Sequence, residues 1–310
     1  MSEQKTKYDI IVIGAGPAGY TAGIYSSRAR RDTLLISGIL PGGQLMNTTD
    51  VENYPGFDEG IMGPDLMIII RKQAEKMGTK IIDDEVVSVD FKSKLLKVST
   101  ASSTFEANSV IVCTGANPRK IGLDGEQAFA GKGVSYCATC DGAFFKNQEL
   151  IVVGGGDSAM EEATFLTKFA STVHIVHRRD EFRASKIMQE RALSNEKIKV
   201  HFNCTVEDIQ GDQKFQKVIL KNVKNDEMIT LEAGGLFVAI GHEPNSKILE
   251  GRVELDENGY VVLKNNTETS IPGVFCAGDV HDHRYRQAVT AAGFGCMAAI
   301  DADKYLAEQK

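Results

Sequence analysis

The sequence of 310 residues contains no tryptophan, no long apolar run and no excess of basic over acidic residues. Its first apolar run, Ile10 to Ile13, ends at Gly14 and is far too short for a secretory signal or a membrane span. The formal net charge of −7 at pH 7 argues against a nucleic-acid-binding surface. We therefore expect a cytoplasmic protein that binds neither nucleic acid nor a membrane.

Cysteines are also few, and only one pair lies close together in the sequence. The six cysteines stand at positions 113, 137, 140, 204, 276 and 296, which is not the framework of a secreted disulfide-rich protein. A structural zinc site needs four ligands, usually two close pairs, yet there is no second CxxC and no histidine between Cys137 and His174. We therefore interpret Cys137 and Cys140, with Asp141 directly after them, as a redox pair and expect no metal.

The chain is long enough for two domains, and its thirty glycines fall in clusters that suggest loops close to ligands. The apolar run Lys7–Ile13 predicts a buried parallel strand. It leads into the glycine run GAGPAG at 14–19 and a helical stretch over Tyr20–Arg30. Strand, GxGxxG and helix in this order predict a dinucleotide-binding unit, with the phosphates at the start of the helix. The second strand, Thr33–Ile36, is not followed by the usual acid for a ribose.

The pattern repeats 140 residues later, with Gly154 in the place of Gly14. A predicted strand over 150–153 leads into the run GGGDSA and a helix from Met160, and a second strand covers 172–176. This second strand ends in His177, Arg178 and Arg179, with Arg183 four residues further on. Arginines at this position suit the 2′-phosphate of NADP rather than the ribose hydroxyl of NAD, although a solvated basic helix start is the alternative.

Three further stretches are less specific. The loops 40–45 and 50–56 have the composition of ordinary surface loops. A helix predicted from Gly63 to near Gly78 carries five apolar residues in a row, and must be buried on two sides, within its domain or against another subunit. Asp279, between the strand predicted over 273–277 and the helix predicted over 286–306, could bind ligand hydroxyls or cap a turn.

Over its full length the chain resembles the low-molecular-weight thioredoxin reductases. The motifs that carry this resemblance are GAGPAG at 14–19, GGQL at 42–45, VENYPG at 51–56, CATCDG at 137–142, GGG at 154–156, HRR at 177–179, and AGD at 277–279 with YRQA at 285–288. The resemblance implies an α/β fold with two Rossmann-like dinucleotide-binding domains of the pyridine nucleotide-disulfide oxidoreductase type. An FAD domain made of residues 1–117 and 247–310 is interrupted by an NADPH domain, residues 118–246, that carries the CxxC.

The same resemblance implies a set of cofactor contacts. Those expected for FAD are Gly14, Gly16, Pro17, Ala18, Gly19, Gly42, Gln44, Leu45, Asn53, Val87, Thr114, Gly115, Gly278, Asp279, Arg286, Gln287 and Ala288. Those expected for NADPH are Gly154, Gly156, Asp157, Ser158, Ala159, His177, Arg178, Arg179, Arg183, Ile240 and Gly241. The loops that composition alone assigns to the surface would then face the flavin.

The resemblance implies that the protein is a homodimeric NADPH-dependent thioredoxin-disulfide reductase. Electrons would pass from NADPH to FAD, from FAD to the Cys137–Cys140 disulfide, and from the resulting dithiol to thioredoxin. By the family pattern Cys140 lies against the flavin, and Cys137, the more accessible and more acidic thiol after reduction, performs the exchange. Asp141 shuttles a proton, with a helix cap as the alternative. The family also implies two arrangements of the domains. A different oxidised partner, peroxidase-linked or a small disulfide, fits the same residues, whereas a non-catalytic nucleotide sensor would not need the redox pair.

Overall fold

A computed structural model describes residues 5–309, which form two compact units. The first unit comprises the chain up to Asn117 and from Glu243 onward, and the second is Pro118–His242. The first crossing coincides with the boundary expected after residue 117, whereas the second lies at His242 rather than after residue 246. Short strands cover Ala116–Pro118 and His242–Pro244 at the two crossings.

The first unit is built on a mixed sheet whose parallel part has the order of a dinucleotide-binding fold. The parallel strands are, in spatial order, Lys80–Ile82, Thr33–Ile36, Lys7–Ile13, Thr104–Val112 and Val274–Cys276. Strands Leu96–Thr100 and Val86–Asp90 extend the sheet antiparallel from the first half of Thr104–Val112. A separate antiparallel pair joins Asp50–Val51 to Ile61–Met62.

The position of the central strand Lys7–Ile13 between two hydrophobic clusters explains its apolar run. Ile10 and Val12 lie in one hydrophobic cluster, and Ile11 and Ile13 lie in another on the opposite face. A parallel strand covered on both faces has no polar side, so the predicted buried strand is confirmed at its predicted bounds.

Three helices cover one face of this sheet: Pro17–Arg28, Gly63–Lys76 and Ala288–Glu308. The first and third pack closely, since a Cβ atom at Gly295 would lie 2.1 Å from the carbonyl oxygen of Ala18. The first helix begins at Pro17 rather than the predicted Tyr20, because proline suits the first helical turn. The helix predicted from Arg286 begins at Ala288, where Gln287 and Thr290 form a capping box. Short 3₁₀ turns cover Gly43–Asn47 and Lys247–Leu249.

The helix Gly63–Lys76 is buried on one side only within its unit. Leu66, Met67 and Ile70 are in the core, but Ile68 and Ile69 remain 46% and 45% exposed. Its unit therefore does not bury the second side of the helix, so burial against another subunit stays a prediction and an exposed apolar pair is left at the surface of the unit.

The second unit has a fully parallel sheet, in the order Val134–Ser135, Gly235–Val238, Glu149–Val153, Thr172–His177 and Ile198–Phe202. Its helices are Asp124–Ala128, Ala138–Asp141, Asp157–Leu166 and Lys186–Leu193, with a 3₁₀ turn at Gly142–Phe145. A second, antiparallel sheet of Cys204–Gly211, Phe215–Asn222 and Met228–Glu232 was not predicted from the sequence. It packs on the opposite face of the parallel sheet from the helix Asp157–Leu166. Within the described residues, no helix is both long and apolar enough to cross a membrane.

Candidate active site

The first candidate site lies at the edge of the first unit's sheet where the parallel strands end. The register pairs Ile13 with both Ile36 and Val112, and pairs Val112 with Cys276. The loops that follow these strands, beginning at Gly14, Ser37, Cys113 and Ala277, therefore leave the sheet side by side. Ligands of open α/β sheets bind at this edge.

The glycines of the first loop have two different physical roles. A Cβ atom at Gly14, where φ is +103°, would lie 2.3 Å from the carbonyl oxygen of Cys113. A Cβ atom at Gly19 would lie 1.9 Å from the carbonyl oxygen of Gly14. At Gly16 a Cβ atom would meet no atom within 4 Å. Gly14 and Gly19 are thus required by packing, whereas Gly16 borders open space at the start of the helix that begins at Pro17, where a pyrophosphate can approach the backbone.

Two polar atoms beside this loop are buried without a partner. Neither Oδ1 of Asp279 nor Oγ1 of Thr114 has a hydrogen-bond partner among the described residues. Burial raises the pKa of Asp279 to about 7; the nearby Asp282 also raises it, and Arg286 lowers it. Because buried polar groups are almost always hydrogen-bonded, these atoms fit a ligand that presents hydroxyl groups.

The loops around positions 44 and 53 do belong to this edge. The N–H of Gly42 donates to the carbonyl oxygen of Ala15 at 3.0 Å, which ties this loop to the glycine run. The exposed Gln44 donates from Nε2 to Oδ1 of Asn117 at 2.6 Å. Asn53 donates from Nδ2 to Oε1 of Gln287 at 3.3 Å, so the second loop is tied to the cap of the long helix.

The remaining residues predicted to contact FAD are placed as follows. Pro17 and Ala18 begin the first helix, and Ala288 begins the helix Ala288–Glu308. Gly278 has a φ of +80°, and its position for a Cβ atom is 3.0 Å from Cβ of Ala18. Gly115 and Leu45 also lie in the loops at this edge, and Arg286 has a φ of +46°. Val87 is exposed at a bulge in the antiparallel part of the sheet, and no pairing brings it to the glycine run.

The second unit repeats this arrangement. Its register pairs Val153 with both Val176 and Val238, so the loops that begin at Gly154, Arg178 and Ala239 leave the same edge. Ile240 and Gly241 follow in the third loop, where the carbonyl oxygen of Gly241 accepts from the N–H of Arg119 at 2.9 Å.

The second glycine loop also combines packing with an open position. A Cβ atom at Gly154 would lie 2.4 Å from the carbonyl oxygen of Ala239, and one at Gly155 would lie 2.2 Å from the imidazole ring of His177. At Gly156 a Cβ atom would meet no atom within 4 Å, as at Gly16. Ala159, which replaces the third glycine, is completely buried.

The arginine loop is held against this glycine loop by its backbone. The N–H of Arg183 donates to the carbonyl oxygen of Gly155 at 2.8 Å. The N–H of Ser185 donates to Oδ1 of Asp157 at 2.6 Å, and Ser158, the next residue after Asp157, is half-buried. Arg178, Arg179 and Arg183 are exposed, and no ion pair within residues 5–309 uses their guanidinium groups. Three unpaired cations at the edge of a dinucleotide loop suit an additional phosphate.

His177 is only 6% exposed and lies beneath the loop rather than at its surface. Its Nε2 donates to the carbonyl oxygen of Glu181 at 3.0 Å, and its ring contacts Phe182. Burial lowers the pKa of His177, as do the three nearby arginines. The imidazole of His177 is therefore neutral near pH 7, and it supports the glycine loop from below. Contact between His177 and NADPH stays a prediction.

The redox pair lies at the same edge of the same sheet as the second glycine loop. The short strand Val134–Ser135 runs parallel to Gly235–Val238, and the chain turns from its end into the helix Ala138–Asp141. Cys137 and Cys140 form a disulfide, with their Cα atoms 5.3 Å apart, and Sγ of Cys137 accepts from the N–H of Cys140 at 3.2 Å.

The exposure of the two cysteines runs opposite to the order expected for the dithiol. In the disulfide Cys140 is exposed and Cys137 is half-buried. The cause is the position of Cys137 at the helix N-cap, where its sulfur folds over the first turn. The greater accessibility of Cys137 after reduction stays a prediction.

Asp141 does not cap a helix, which removes the alternative role considered for it. Its carboxylate makes no capping bond to the 3₁₀ turn that follows, and its Oδ2 instead accepts from Oγ of Ser135 at 2.5 Å. Burial raises the pKa of Asp141, and the bond from Ser135 lowers it. The next residue, Gly142, must be small because a Cβ atom there would lie 2.9 Å from Cδ2 of Leu166.

Sequence reasoning missed three residues that support this site: Ser135, Gly155 and Glu126. Glu126 is 1% exposed, and its carboxylate accepts from the backbone N–H groups of Ile121 and Gly122 and from the hydroxyl of Tyr136. In the sequence, only Gly155 could have been recognised, from the unbroken run of three glycines at 154–156. A serine before a CxxC and a glutamate ten residues before Tyr136 have no distinctive spacing.

Comparison with known proteins agrees with two dinucleotide-binding loops and a redox disulfide. The family model for pyridine nucleotide-disulphide oxidoreductases matches residues 8–295. The chain belongs to that family. It is 54% identical over 302 residues to the thioredoxin reductase of Streptomyces clavuligerus, covering 96% of this chain and 94% of that protein. It is 53% identical to the thioredoxin reductase of Mycolicibacterium smegmatis, over the whole of both chains. The structure of thioredoxin reductase from Giardia duodenalis matches with a TM-score of 0.94 and 44% identity, covering 98% of this chain and 100% of that one.

The resemblance to thioredoxin reductases and the predicted fold class of this oxidoreductase are therefore confirmed. The cofactors are FAD and NADPH. The residues present fit both groups, since Gly16 and Gly156 leave open approaches to helix N-termini and Asp279 and Thr114 bury unpartnered oxygens. Within the described residues, no cluster of three or more histidine, cysteine or acidic side chains is arranged for a metal.

Proposed function

We propose that this protein reduces the disulfide of thioredoxin, using electrons that pass from NADPH through FAD to Cys137 and Cys140. The observation that carries the proposal is the disulfide itself, which leaves the carboxyl edge of a dinucleotide-binding sheet and is followed by the half-buried Asp141. The choice of partner is supported by the relatives of this chain, which are thioredoxin reductases.

We assign the two cofactors to different units. In the first unit, Gly16 with the start of the helix at Pro17 would hold the FAD pyrophosphate, while Asp279 and Thr114 would meet its hydroxyl groups. In the second, Gly156 would border the NADPH pyrophosphate and the three arginines would bind the 2′-phosphate. When bound, these cofactors supply the two-electron chemistry that reduces the disulfide.

The chain's own sulfurs then perform thiol–disulfide exchange. The Cys137 thiolate attacks one sulfur of the partner disulfide, which breaks that bond and forms a mixed disulfide. Cys140 gives its proton to the Asp141 carboxylate and attacks Sγ of Cys137, which re-forms the Cys137–Cys140 bond and releases the second partner sulfur. The partner gains two electrons, and the two protons that complete its dithiol come from Asp141 and solvent.

Further features support a cytoplasmic homodimer. Outside the redox pair, the four remaining cysteines are free thiols, as is usual in a reducing compartment. The exposed pair Ile68 and Ile69 suits an interface with a second copy. Analytical sedimentation of Ile69→Asp beside the wild-type chain tests this interface. We expect the variant to shift towards the monomer. An unchanged dimer would argue against an interface at Ile68 and Ile69.

An anaerobic assay with NADPH and a thioredoxin from the same source tests the function. We expect turnover that is lost in Cys137→Ser and kept in Cys296→Ser, which removes a free cysteine outside the redox pair. If NADPH bleaches the flavin but thioredoxin stays oxidised while a small disulfide is reduced, the partner assignment is wrong and the chemistry stands. If Cys137→Ser retains full turnover, the exchange mechanism is wrong.

A further inference from the structure

We propose that Ser135 is a positioning residue of the disulfide site, whose hydroxyl joins the backbone of Cys137 to the carboxylate of Asp141. The inference rests on the function proposed above and extends it to a side chain outside the cysteine motif. It is carried by two hydrogen bonds that converge on one buried oxygen atom.

Ser135 is fixed before the chain reaches the cysteines. It is the last residue of the strand Val134–Ser135, it pairs with Phe237 of the neighbouring parallel strand, and it is only 5% exposed. Its Oγ accepts from the N–H of Cys137 at 3.1 Å and donates to Oδ2 of Asp141 at 2.5 Å. A hydroxyl has one proton and two lone pairs, so it can make both bonds at once. The sheet therefore sets the distance between the backbone before the disulfide and the acid after it.

The same hydroxyl can serve Asp141 in both of its protonation states. When the carboxylate is ionised, Ser135 donates to it at 2.5 Å. When the carboxyl group holds a proton, it can donate to Oγ of Ser135, and the serine proton can turn to the carbonyl oxygen of Cys137 at 3.4 Å. Asp141 can thus gain and lose a proton without leaving a buried group unpaired or moving the turn.

Electrostatics at this position depend on few groups. Burial raises the pKa of Asp141, the Ser135 hydroxyl lowers it, and no charged side chain in the described part of the chain adds to either effect. The side chains of the neighbouring helix that lie nearest Gly142, Phe165 and Leu166, are apolar. Among the described residues, Ser135 is therefore the group that favours the ionised form of Asp141, which is the form that accepts the proton of Cys140.

The test uses the full-length, FAD-loaded protein and three variants. Ser135→Ala removes the hydroxyl, and Ser135→Thr keeps it. Ser109→Ala is the matched control, because Ser109 is fully buried in the first unit and donates one hydrogen bond of 2.9 Å to the carbonyl oxygen of Gly273. Two quantities are measured against pH: the single-turnover rate at which the pre-reduced protein is reoxidised by thioredoxin, and the midpoint potential of the Cys137–Cys140 couple in dithiothreitol buffers.

In Ser135→Ala we expect the reoxidation rate at neutral pH to fall about tenfold, which is the usual weight of one hydrogen bond to a charged group. The pH at which this rate is half-maximal should rise, because Asp141 then holds its proton to higher pH, and the acidic break in the potential should rise with it. Ser135→Thr should restore both profiles, and Ser109→Ala should match the wild type.

Unchanged pH profiles in a folded Ser135→Ala protein would overturn the proposal and leave the serine a structural role only. If that variant does not fold, Ser135→Thr decides: a folded threonine variant with shifted profiles also overturns it. The potential is measured without thioredoxin, so the two hypotheses fail separately. A wild-type protein that does not reduce thioredoxin, together with a shifted potential in Ser135→Ala, refutes the partner and retains the role of Ser135.

Discussion

The imidazole ring of His177 lies directly over the backbone of Gly155. A Cβ atom at Gly155 would be 2.2 Å from both Nδ1 and Cε1 of that ring. The ring has no room to withdraw, because it is buried and bonded through Nε2 to the carbonyl oxygen of Glu181. The middle glycine of the run GGG is therefore required by packing, whereas Gly156, with no neighbour within 4 Å, is left open to a ligand.

This contrast predicts different effects for two adjacent substitutions. Gly155→Ala should lower the free energy of unfolding by about 2 kcal/mol, the usual range for overpacking a buried site. Gly156→Ala should leave the melting temperature close to that of the wild type but weaken NADPH binding about tenfold or more, because its methyl group occupies the space for the pyrophosphate. Thermal melts and NADPH titrations of both variants measure this, and equal melting temperatures would contradict the assignment of Gly155 to packing.

Replacing the exposed arginines should selectively lower the activity with NADPH. Arg178→Ala and Arg183→Ala should each lower kcat/KM for NADPH about tenfold to a hundredfold, since each removes charge-assisted bonds to the 2′-phosphate. The kcat/KM for NADH, which lacks that phosphate, should change little. Arg191→Ala, another exposed arginine of the same unit, is the control. An equal loss with both nucleotides would show that the arginines support the fold rather than recognise the phosphate.

The parallel strands could be predicted because their sequences are determined by burial on both faces. Lys7–Ile13 and Thr33–Ile36 have their predicted bounds, and each is an apolar run that ends at a loop. The antiparallel strands Cys204–Gly211, Phe215–Asn222 and Met228–Glu232 were missed, because their alternating polar residues resemble those of a surface loop.

The cofactor loops could be located from spacing, but the role of each side chain could not. The sequence does not reveal that His177 is buried, because this depends on Gly155 lying above it. Nor does it reveal the bond from Ser135 to Asp141, since a strand of two residues leaves no periodic pattern. Contacts between residues distant in the chain are set by tertiary packing, which no local pattern encodes.

Asp279 predicts that the flavin-free protein loses stability as pH rises. Burial raises its folded pKa to about 7, whereas an aspartate in the unfolded chain titrates at about 3.9. Between these values the folded protein holds a proton that the unfolded chain has lost, so stability falls from about pH 4 to pH 7 and then levels off.

The variant Asp279→Asn should lack this fall and gain about 4 kcal/mol over the wild type above pH 7, while binding FAD at least tenfold more weakly. Denaturant melts of both flavin-free proteins across this pH range measure the difference. Parallel curves for the two proteins would mean that Asp279 ionises normally in the absence of the flavin.

The hydrogen bonds that Glu126 accepts predict a loss of stability when its carboxylate is replaced by an amide. Its carboxylate accepts only, from the N–H of Ile121 at 3.1 Å, the N–H of Gly122 at 2.8 Å and the hydroxyl of Tyr136 at 3.1 Å. Glu126→Gln has nearly the same shape but turns an amide NH₂ towards at least one of these donors. We expect a loss of about 2 to 3 kcal/mol in the free energy of unfolding, because two hydrogen-bond donors then face each other at the buried side chain of residue 126.

Tyr136→Phe is the matched comparison, because it removes one of the three bonds and leaves the carboxylate with both backbone donors. It should cost about 1 kcal/mol, and denaturant melts followed by circular dichroism should rank the glutamine variant clearly below it. If the two variants are equally stable, the backbone bonds to Glu126 contribute little.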